Sequence, residues 1–195
     1  MRLIERWRAW ASHHRVHAGI LFALSYVALS RTSGQRFVLG AAVVIVGETI
    51  RVWACGHLVR NVELTRAGPY RFVRNPLYLG SLFIGLGLAL LTVSAPIWLA
   101  GLAILFLGFY LPTMHVEELR LQSLFGAEYQ EYIERVPRLL PAVRRHDAWE
   151  VGAAEPSPFS WQQARQNREL RTVGVMMALL IVQALKLLLA SNPTT

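Results

Sequence analysis

The sequence predicts an all-α, polytopic membrane protein with about five transmembrane helices. Of its 195 residues, 54% are hydrophobic and only 16% are charged. Apolar runs recur along the chain at about the 20-residue length that a helix needs to cross a bilayer. The arginines cluster in the segments between these runs. Together these observations assign the chain to the membrane class rather than the soluble class.

Four apolar runs have the length of a full span, at 37–59, 77–93, 95–113 and 172–190. A fifth, at 16–30, is shorter than the ~20 residues that a span prefers. It either crosses a locally thinned bilayer, with His17 and Arg31 reaching the interface, or is an interfacial or targeting segment. No small-residue cleavage site follows it, which disfavours a signal peptide.

The net charge of +8 could indicate nucleic acid, but its distribution indicates a lipid bilayer instead. With five spans, sixteen of the 20 Lys and Arg fall on one side of the membrane, and only Arg31 and Arg36 on the other. This positive-inside bias predicts a cytoplasmic N-terminus and an outward C-terminus. It also places two polar segments, 68–80 and 117–141, on the same cytoplasmic face. The scarcity of Lys favours a bacterial inner membrane.

Three regions are expected along the chain. Residues 1–15, with tryptophans between arginines, predict an interfacial amphipathic helix. Residues 16–141 form a membrane core, and 142–195 an interfacial loop followed by the last span. Cys55 is the only cysteine. It excludes an internal disulfide, is expected to pack as a small apolar residue, and no metal-ligand framework is present.

The Asn75-Pro76 pair predicts the start of a helix. Asn is a favoured N-cap, and Pro suits the first turn because its missing N–H would have had no partner. Arg71 and Arg74 stand just before this start. A helix N-terminus flanked by arginines suits a carboxylate or phosphate. The alternative is capping by Asn75 and anchoring of the arginines on lipid headgroups.

A second polar segment predicts a helix from Glu117 to Arg135 that stops before Pro137. Glu117 and Glu118 point about 100° apart on a helix, so they cannot face the same partner. One face carries Glu118, Leu121, Phe125, Tyr129 and Tyr132. Such an aromatic face either binds a cation or simply packs.

Inside the spans, Glu48 and Arg51 are one helical turn apart. We expect them to pair with each other, because an unpaired charge is unfavourable there. The alternative is that they line a polar cavity. In the third span, Ser81 and Gly85, with Gly80 and Gly87 nearby, predict a surface that another helix can approach closely. His57 is expected to be an interfacial polar group.

Taken together, these segments resemble the integral-membrane methyltransferases that include isoprenylcysteine carboxyl methyltransferase and the bacterial phospholipid N-methyltransferases. The resemblance covers about residues 40–141. The residues that carry it are Gly68 and Tyr70; Arg74, Pro76, Tyr78 and Gly80; Glu117 and Glu118; Phe125 and Gly126; Tyr129 and Tyr132; and Val136, Pro137 and Arg138.

The resemblance implies a bundle of membrane helices that binds S-adenosylmethionine on the cytoplasmic side and admits a lipid-like acceptor from the bilayer. The residues it assigns to the cofactor are Val62, Glu63, Leu64, Thr65, Tyr70, Arg74, Asn75, Pro76, Leu77, Tyr78 and Glu117. Glu118 or Arg138 would orient the acceptor, or remove its proton if it is an amine. These two are the candidate catalytic residues.

Three departures from the family pattern bear on function. Asn75 stands where the family often has His, and Asn cannot carry a proton near neutral pH. The run 62–64 replaces a His-x-Leu, which favours backbone contacts there. No arginine just precedes the acid pair, so a phospholipid or other amphiphile is as good an acceptor as a prenylated protein. Two alternative functions are a nicotinamide-dependent membrane reductase and a non-catalytic assembly or transport protein.

Overall fold

The structure, a computed structural model, describes residues 2–59, 62–141 and 158–191, apart from the side chains of Arg2 and Ser191. Within these ranges the chain is helical and has no strand, only an isolated bridge between Thr32 and Thr92. The helices are α1 (Arg2–Leu29), α2 (Gly34–His57), α3 (Pro76–Leu90), α4 (Ala95–Leu105), α5 (Leu111–Arg135), α6 (Trp161–Gln166) and α7 (Glu169–Ser191). Most of the predicted loop at 142–160, with Trp149, lies outside the described residues.

Three helices are long and apolar enough to cross a membrane: Gly34–His57, Ala95–Arg135 and Glu169–Ala190. The predicted span at 77–93 is the shorter apolar helix α3, because Leu91 to Val93 form a turn that bonds back to Arg31. The interfacial helix at 1–15 and the short span at 16–30 are one continuous helix, α1. The chain is therefore an integral membrane protein.

Helices α2 and α3 pack antiparallel with their backbones in close contact. A Cβ added to Gly47 would lie 2.7 Å from the carbonyl oxygen of Gly80, and one on Gly40 would lie 2.6 Å from that of Gly87. Glycine at these four positions allows the two backbones to meet, as small residues do between membrane helices. Gly85 allows contact with Leu102 of α4 in the same way. The predicted small-residue surface is confirmed for these glycines.

Helices α4 and α5 are joined by a π-helical turn, Phe106–Tyr110, into one continuous helix of 41 residues. At 1.5 Å per residue it is about 60 Å long, twice the ~30 Å hydrocarbon core, so its polar second half extends beyond the membrane. Gly126 kinks it with a φ of 51°, which glycine adopts readily. The helix ends at Arg135, before Pro137, as predicted.

The predicted pairing of Glu48 with Arg51 is wrong. Arg51 Nε instead lies 2.7 Å from Oε1 of Glu169, at the start of α7, and Nη1 donates to the Ser81 hydroxyl at 2.6 Å. Ser81 is therefore a polar partner rather than only a small packing residue. The reason is that the packing of α7 places the Glu169 carboxylate directly against the Arg51 guanidinium. Glu48, on the same helix as Arg51, makes no such contact. His57 is also more buried than expected, at 8% exposure.

Polar contacts at the far end of the bundle fix how the helices are ordered. Arg36 donates to the carbonyl of Thr92 at 3.0 Å, and Lys186 of α7 donates to those of Val27 and Ser30 at 2.6 and 3.0 Å. The turns after α1 and α3 and the end of α7 therefore share this end. The segments 68–80 and 117–141 consequently meet at the opposite end, as the positive-inside pattern predicts.

Candidate functional site

The candidate site lies where the start of α3 meets α5 and the segment after it. The backbone N–H of Arg74 donates to the backbone carbonyl of Pro137 at 2.8 Å. The Tyr132 hydroxyl donates to the backbone carbonyl of Tyr70, also at 2.8 Å. Gly68 opens a 3₁₀ turn, Gly68–Arg71, with a φ of 58°. A Cβ there would also collide with the His57 ring. The two polar segments are thus held together by a backbone–backbone bond and a side chain–backbone bond.

Glu118 is surrounded by donors from three segments. Its Oε1 accepts from Asn75 Nδ2 at 3.0 Å and from Arg138 Nε at 3.2 Å, and its Oε2 lies 3.1 Å from Arg138 Nη2. Arg74 Nη1 lies 3.6 Å from Oε1. Because the carboxylate is only 15% exposed and lies against two arginines and the Asn75 amide, it is fixed in place.

Glu117 has different partners, as expected of a neighbour rotated about 100° around the helix. Arg15 of α1 donates from Nη1 to Glu117 Oε1 at 2.7 Å and to the Tyr78 hydroxyl at 2.6 Å. The Tyr78 ring stands edge-on to Tyr110, with centroids 5.7 Å apart. Three helices therefore meet at this carboxylate, which is 43% exposed and accessible to a ligand.

Asn75 is at the N-cap position of α3 as predicted, but its side chain does not cap the helix. Its Nδ2 donates instead to Glu118 and, at 3.2 Å, to the carbonyl of Arg138. Pro76 at the first helical position is confirmed. The Asn75 amide therefore cross-links the two polar segments, leaving the first turn of α3 without a side-chain cap.

Residues 62–65 divide between anchoring and exposure. The Thr65 hydroxyl accepts from the backbone N–H of Val59 at 3.2 Å, and Leu64 packs against the aromatic cluster described next. Val62 is 78% exposed, and Glu63 is exposed as well. Leu64 and Thr65 thus fix the segment, whereas Val62 and Glu63 are exposed.

The predicted aromatic face of α5 is a packed cluster. Tyr129, Tyr132 and Val136 are buried, with Leu64, Leu121, Phe125 and Ile133 against them. Burial, followed by the nearby Glu118 charge, raises the pKa of Tyr129 to about 12. Burial also raises the pKa of Tyr132. Of the two interpretations of this face, packing is therefore favoured over cation binding.

Buried arginine atoms in this region that lack a hydrogen-bond partner of normal geometry among the described residues include Arg74 Nε and Arg138 Nη2, and the Tyr129 hydroxyl lies beside Arg74. Arg74 stands immediately before α3, whose first turn carries partial positive charge. Unsatisfied donors at such a position suit a carboxylate, while the accessible Glu117 carboxylate suits an ammonium or hydroxyl group. The residues therefore fit an amino-acid-like ligand. The described residues hold no cluster of three metal-ligating side chains.

A small cavity of about 220 Å³ adjoins Arg138 between α1 and α5. Trp7, Arg8 and His115 line it together with Arg138. Burial and the neighbouring Arg8 and Arg138 lower the pKa of His115. The cavity is thus lined by two arginines, and one of them, Arg138, also holds Glu118.

Arg15 and Glu169 are the functionally placed residues that sequence reasoning missed. Arg15 was interpreted only as part of a basic interfacial helix, and Glu169 lies beside several arginines at the start of the last span. Neither has a local pattern that distinguishes it. Their partners, Glu117 and Arg51, are 102 and 118 positions away.

Fold and site together define a polytopic helical membrane protein with a charged, ligand-accessible site at one end of its helices. Residues 35–128 match the family described as phospholipid methyltransferase. That segment, just under half of the chain, is similar to this family of membrane methyltransferases. A methyltransferase family implies a methyl donor. No solved structure matches the chain significantly.

Three curated relatives are named as protein-S-isoprenylcysteine O-methyltransferases. The chain is 29% identical over 119 residues to protein-S-isoprenylcysteine O-methyltransferase of Xenopus laevis and 30% identical over 119 residues to that of Homo sapiens. These matches cover 55% of this chain and 41% and 42% of the relatives. Protein-S-isoprenylcysteine O-methyltransferase A of Arabidopsis thaliana is 32% identical over 116 residues, covering 53% of this chain and 58% of the relative. The chain thus spans about half the length of the curated relatives it matches.

Proposed function

We propose that this protein transfers a methyl group from S-adenosylmethionine to a lipid-like or amphiphilic acceptor. The observation that carries the proposal is the pair of adjacent acids, Glu117 and Glu118, each held by arginines of a different segment where α3 begins. The match of residues 35–128 to the phospholipid methyltransferase family supports it. The acceptor is an isoprenylcysteine-type carboxyl group or a phospholipid amine.

The residues around the start of α3 would bind the methyl donor. The unsatisfied Nε of Arg74 and the positive end of α3 suit its carboxylate, and the partly exposed Glu117 suits its polar groups. The residues proposed to line the donor site between these groups are Tyr70, Asn75, Pro76, Leu77 and Tyr78. Residues 62–65 close the site through backbone contacts, since Thr65 and Leu64 are already engaged in fixing the segment.

S-adenosylmethionine supplies a methyl group that is already electrophilic, so the protein's main contribution is alignment and exclusion of water. Glu118 and Arg138 serve this by orienting the acceptor. Arg138 lines the small cavity and also binds Glu118. If the acceptor enters this cavity, Arg138 would connect it with the donor site. Because Glu118 is held by two arginines and Asn75, we assign it to positioning the acceptor.

We further propose that the protein lies in a bacterial inner membrane with its N-terminus and active site in the cytoplasm. The clustering of arginines at the site end supports this orientation, since positively charged segments are retained on the cytoplasmic side. The end that carries Lys186, Arg31 and Arg36 would then face outward.

Calorimetric titration of the detergent-purified protein tests the proposed function. The protein is titrated with S-adenosylmethionine, with its demethylated product S-adenosylhomocysteine, and with NADPH. We expect saturable binding of the first two and none of the third. Glu117→Gln and Tyr78→Phe should weaken that binding, while Glu134→Gln, which removes an exposed acid on α5, should not. Transfer of labelled methyl into lipid extracts then identifies the acceptor.

Each contrary result has a distinct meaning. Binding of NADPH alone would replace the proposal by the reductase hypothesis. Binding of none of the three by folded protein would favour a non-catalytic membrane protein. Unchanged affinity in Glu117→Gln would remove that residue from the donor site.

A further inference from the structure

A second cavity, of about 440 Å³, lies between α2 and α7, outside the site described above. Its volume is within the range of about 300–1,000 Å³ typical of ligand pockets. Its walls are apolar apart from Glu48 and Thr49, and are formed by Val44, Ile45, Val52, Trp53, Phe159, Trp161, Val173, Met176, Met177 and Leu180. Ile45 and Met177 on the rim are more than half exposed, at 58% and 53%. The cavity therefore opens sideways toward the bilayer.

Glu48 is the one charged side chain of this wall, and it is unusual. Both of its carboxylate oxygens are buried, and neither has a hydrogen-bond partner among the residues that the structure describes. The nearby Arg51 directs its hydrogen bonds to Glu169, Ser81 and the Leu77 carbonyl instead. A buried carboxyl group without a partner is unfavourable when it is charged, so a positively charged or donating group beside it would stabilise its charged form.

The cavity is also graded in polarity along its length. Three aromatic residues, Trp53, Phe159 and Trp161, lie toward the site end of the bundle, where Ser160 bonds back to Gly56 at 2.9 Å. Aliphatic residues, including Val44 and Leu180, lie toward the middle of the helices and border the apolar core. Aromatic rings attract cations, and ammonium headgroups in particular. One end of the cavity thus suits a cation and the other a hydrocarbon chain.

We infer that this cavity binds an amphiphile with an ammonium headgroup, whose charge pairs with Glu48 among the aromatic residues and whose chain lies along α2 and α7. The inference goes beyond the proposed methyl transfer and does not depend on it, because it concerns binding alone. Anionic and uncharged amphiphiles of the same chain length lack the group that Glu48 requires.

The test compares two single-chain probes that differ at one nitrogen, which is a charged amine in one and an uncharged, slightly larger amide in the other. The purified full-length protein, in neutral maltoside micelles without methyl donor, is incubated with sphingosine, which has a free amine, or with N-acetylsphingosine, whose amine is acylated. Bound probe is counted by native mass spectrometry. A charge-assisted hydrogen bond corresponds to a preference of about tenfold or more for sphingosine in the wild-type protein.

Glu48→Gln retains the shape of the side chain and should remove this preference, whereas Glu134→Gln, a matched loss of charge on exposed α5, should leave it unchanged. Val173→Phe narrows the cavity with Glu48 intact and should reduce the retention of both probes. Equal retention of the two probes by the wild-type protein would overturn the inference. So would an unchanged preference in Glu48→Gln, or full retention of sphingosine in Val173→Phe. Because no methyl donor is present, these outcomes do not bear on the proposed function.

Discussion

Arg51 of α2 and Glu169 of α7, 118 positions apart, form a two-pronged ion pair inside the helix bundle. Nε and Nη2 of the arginine donate to Oε1 and Oε2 of the glutamate at 2.7 and 3.0 Å. The glutamate side chain is only 3% exposed. Arg51 also bonds to Ser81, so a single guanidinium joins α2, α3 and α7. This pair holds the last helix against the core that carries the site.

Removal of one partner should therefore destabilise the protein strongly. Glu169→Gln leaves Arg51 buried beside a neutral amide, and breaking a buried pair lowers the free energy of unfolding by about 3–5 kcal/mol. Chemical denaturation in mixed micelles measures this change. Replacing both residues by apolar ones, Arg51→Met with Glu169→Leu, should recover part of the loss. Equal stability of Glu169→Gln and the wild-type protein would contradict this role.

The glycine contact between α2 and α3 predicts a second stability effect. Gly47→Ala places a methyl group 2.7 Å from the carbonyl oxygen of Gly80, so the helices must separate. Overpacking of this kind typically lowers the free energy of unfolding by about 1–3 kcal/mol. Gly174→Ala in α7 is the control, since nothing lies within 4 Å of that position. It should stabilise the helix by up to about 1 kcal/mol, and a similar effect of both substitutions would refute the close contact.

The bond between Asn75 and Glu118 predicts a difference between two substitutions at position 75. Asn75→Asp places a second carboxylate where an amide donates at 3.0 Å, so mutual repulsion should open the site. Asn75→His keeps a donor and should retain the contact. We expect the affinity for S-adenosylmethionine to fall at least about tenfold in the first variant. The thermal unfolding midpoint should fall in the same variant, which tests the contact independently of the donor. A lower midpoint in both variants would show that the position tolerates only Asn.

The buried Tyr129 predicts a loss of stability at high pH. Its pKa is raised to about 12 in the folded protein from its ordinary value of 10. The folded state therefore holds the phenolic proton more tightly, so this contribution is complete below pH 10 and is lost as the pH rises toward 12. The loss amounts to about 2 kcal/mol. Unfolding of the wild-type protein and of Tyr129→Phe, compared at pH 9 and 11.5, measures it.

In Tyr129→Phe this part of the pH dependence should be absent. The cluster should otherwise stay packed, because the ring is retained and the substitution removes only the hydroxyl, which lies beside Arg74. A parallel fall in stability for both proteins across this pH range would place the effect on other tyrosines.

Local patterns in the sequence account for the elements around the site. Asn75-Pro76 predicts the start of α3 because the proline has no N–H to lose, and α3 begins at Pro76. The spacing of Leu121, Phe125 and Tyr129 predicts one helix face, and these residues form one cluster. Such features depend on residues within one or two helical turns of each other, so the local sequence specifies them.

The partners of the charged side chains could not be predicted in this way. Local spacing suggested Glu48 as the partner of Arg51, but the packing of α7 supplied Glu169 instead. Asn75 was expected to cap its own helix, but the approach of α5 offered Glu118 as a better acceptor. Arg15 had no local pattern at all, and only the packing of α1 against α5 brings it to Glu117.

By itself, the sequence determined that the chain is helical and apolar, and that its two conspicuous polar segments share one end of the bundle. These properties follow from the length of the apolar segments, which determines whether they can span a bilayer, and from the positive charge of the segments between them, which determines their side. Only the tertiary structure decided which charges pair and which carboxyl remains without a partner. Hydrogen bonds depend on distances of about 3 Å between atoms on different helices, and helix packing alone sets those distances.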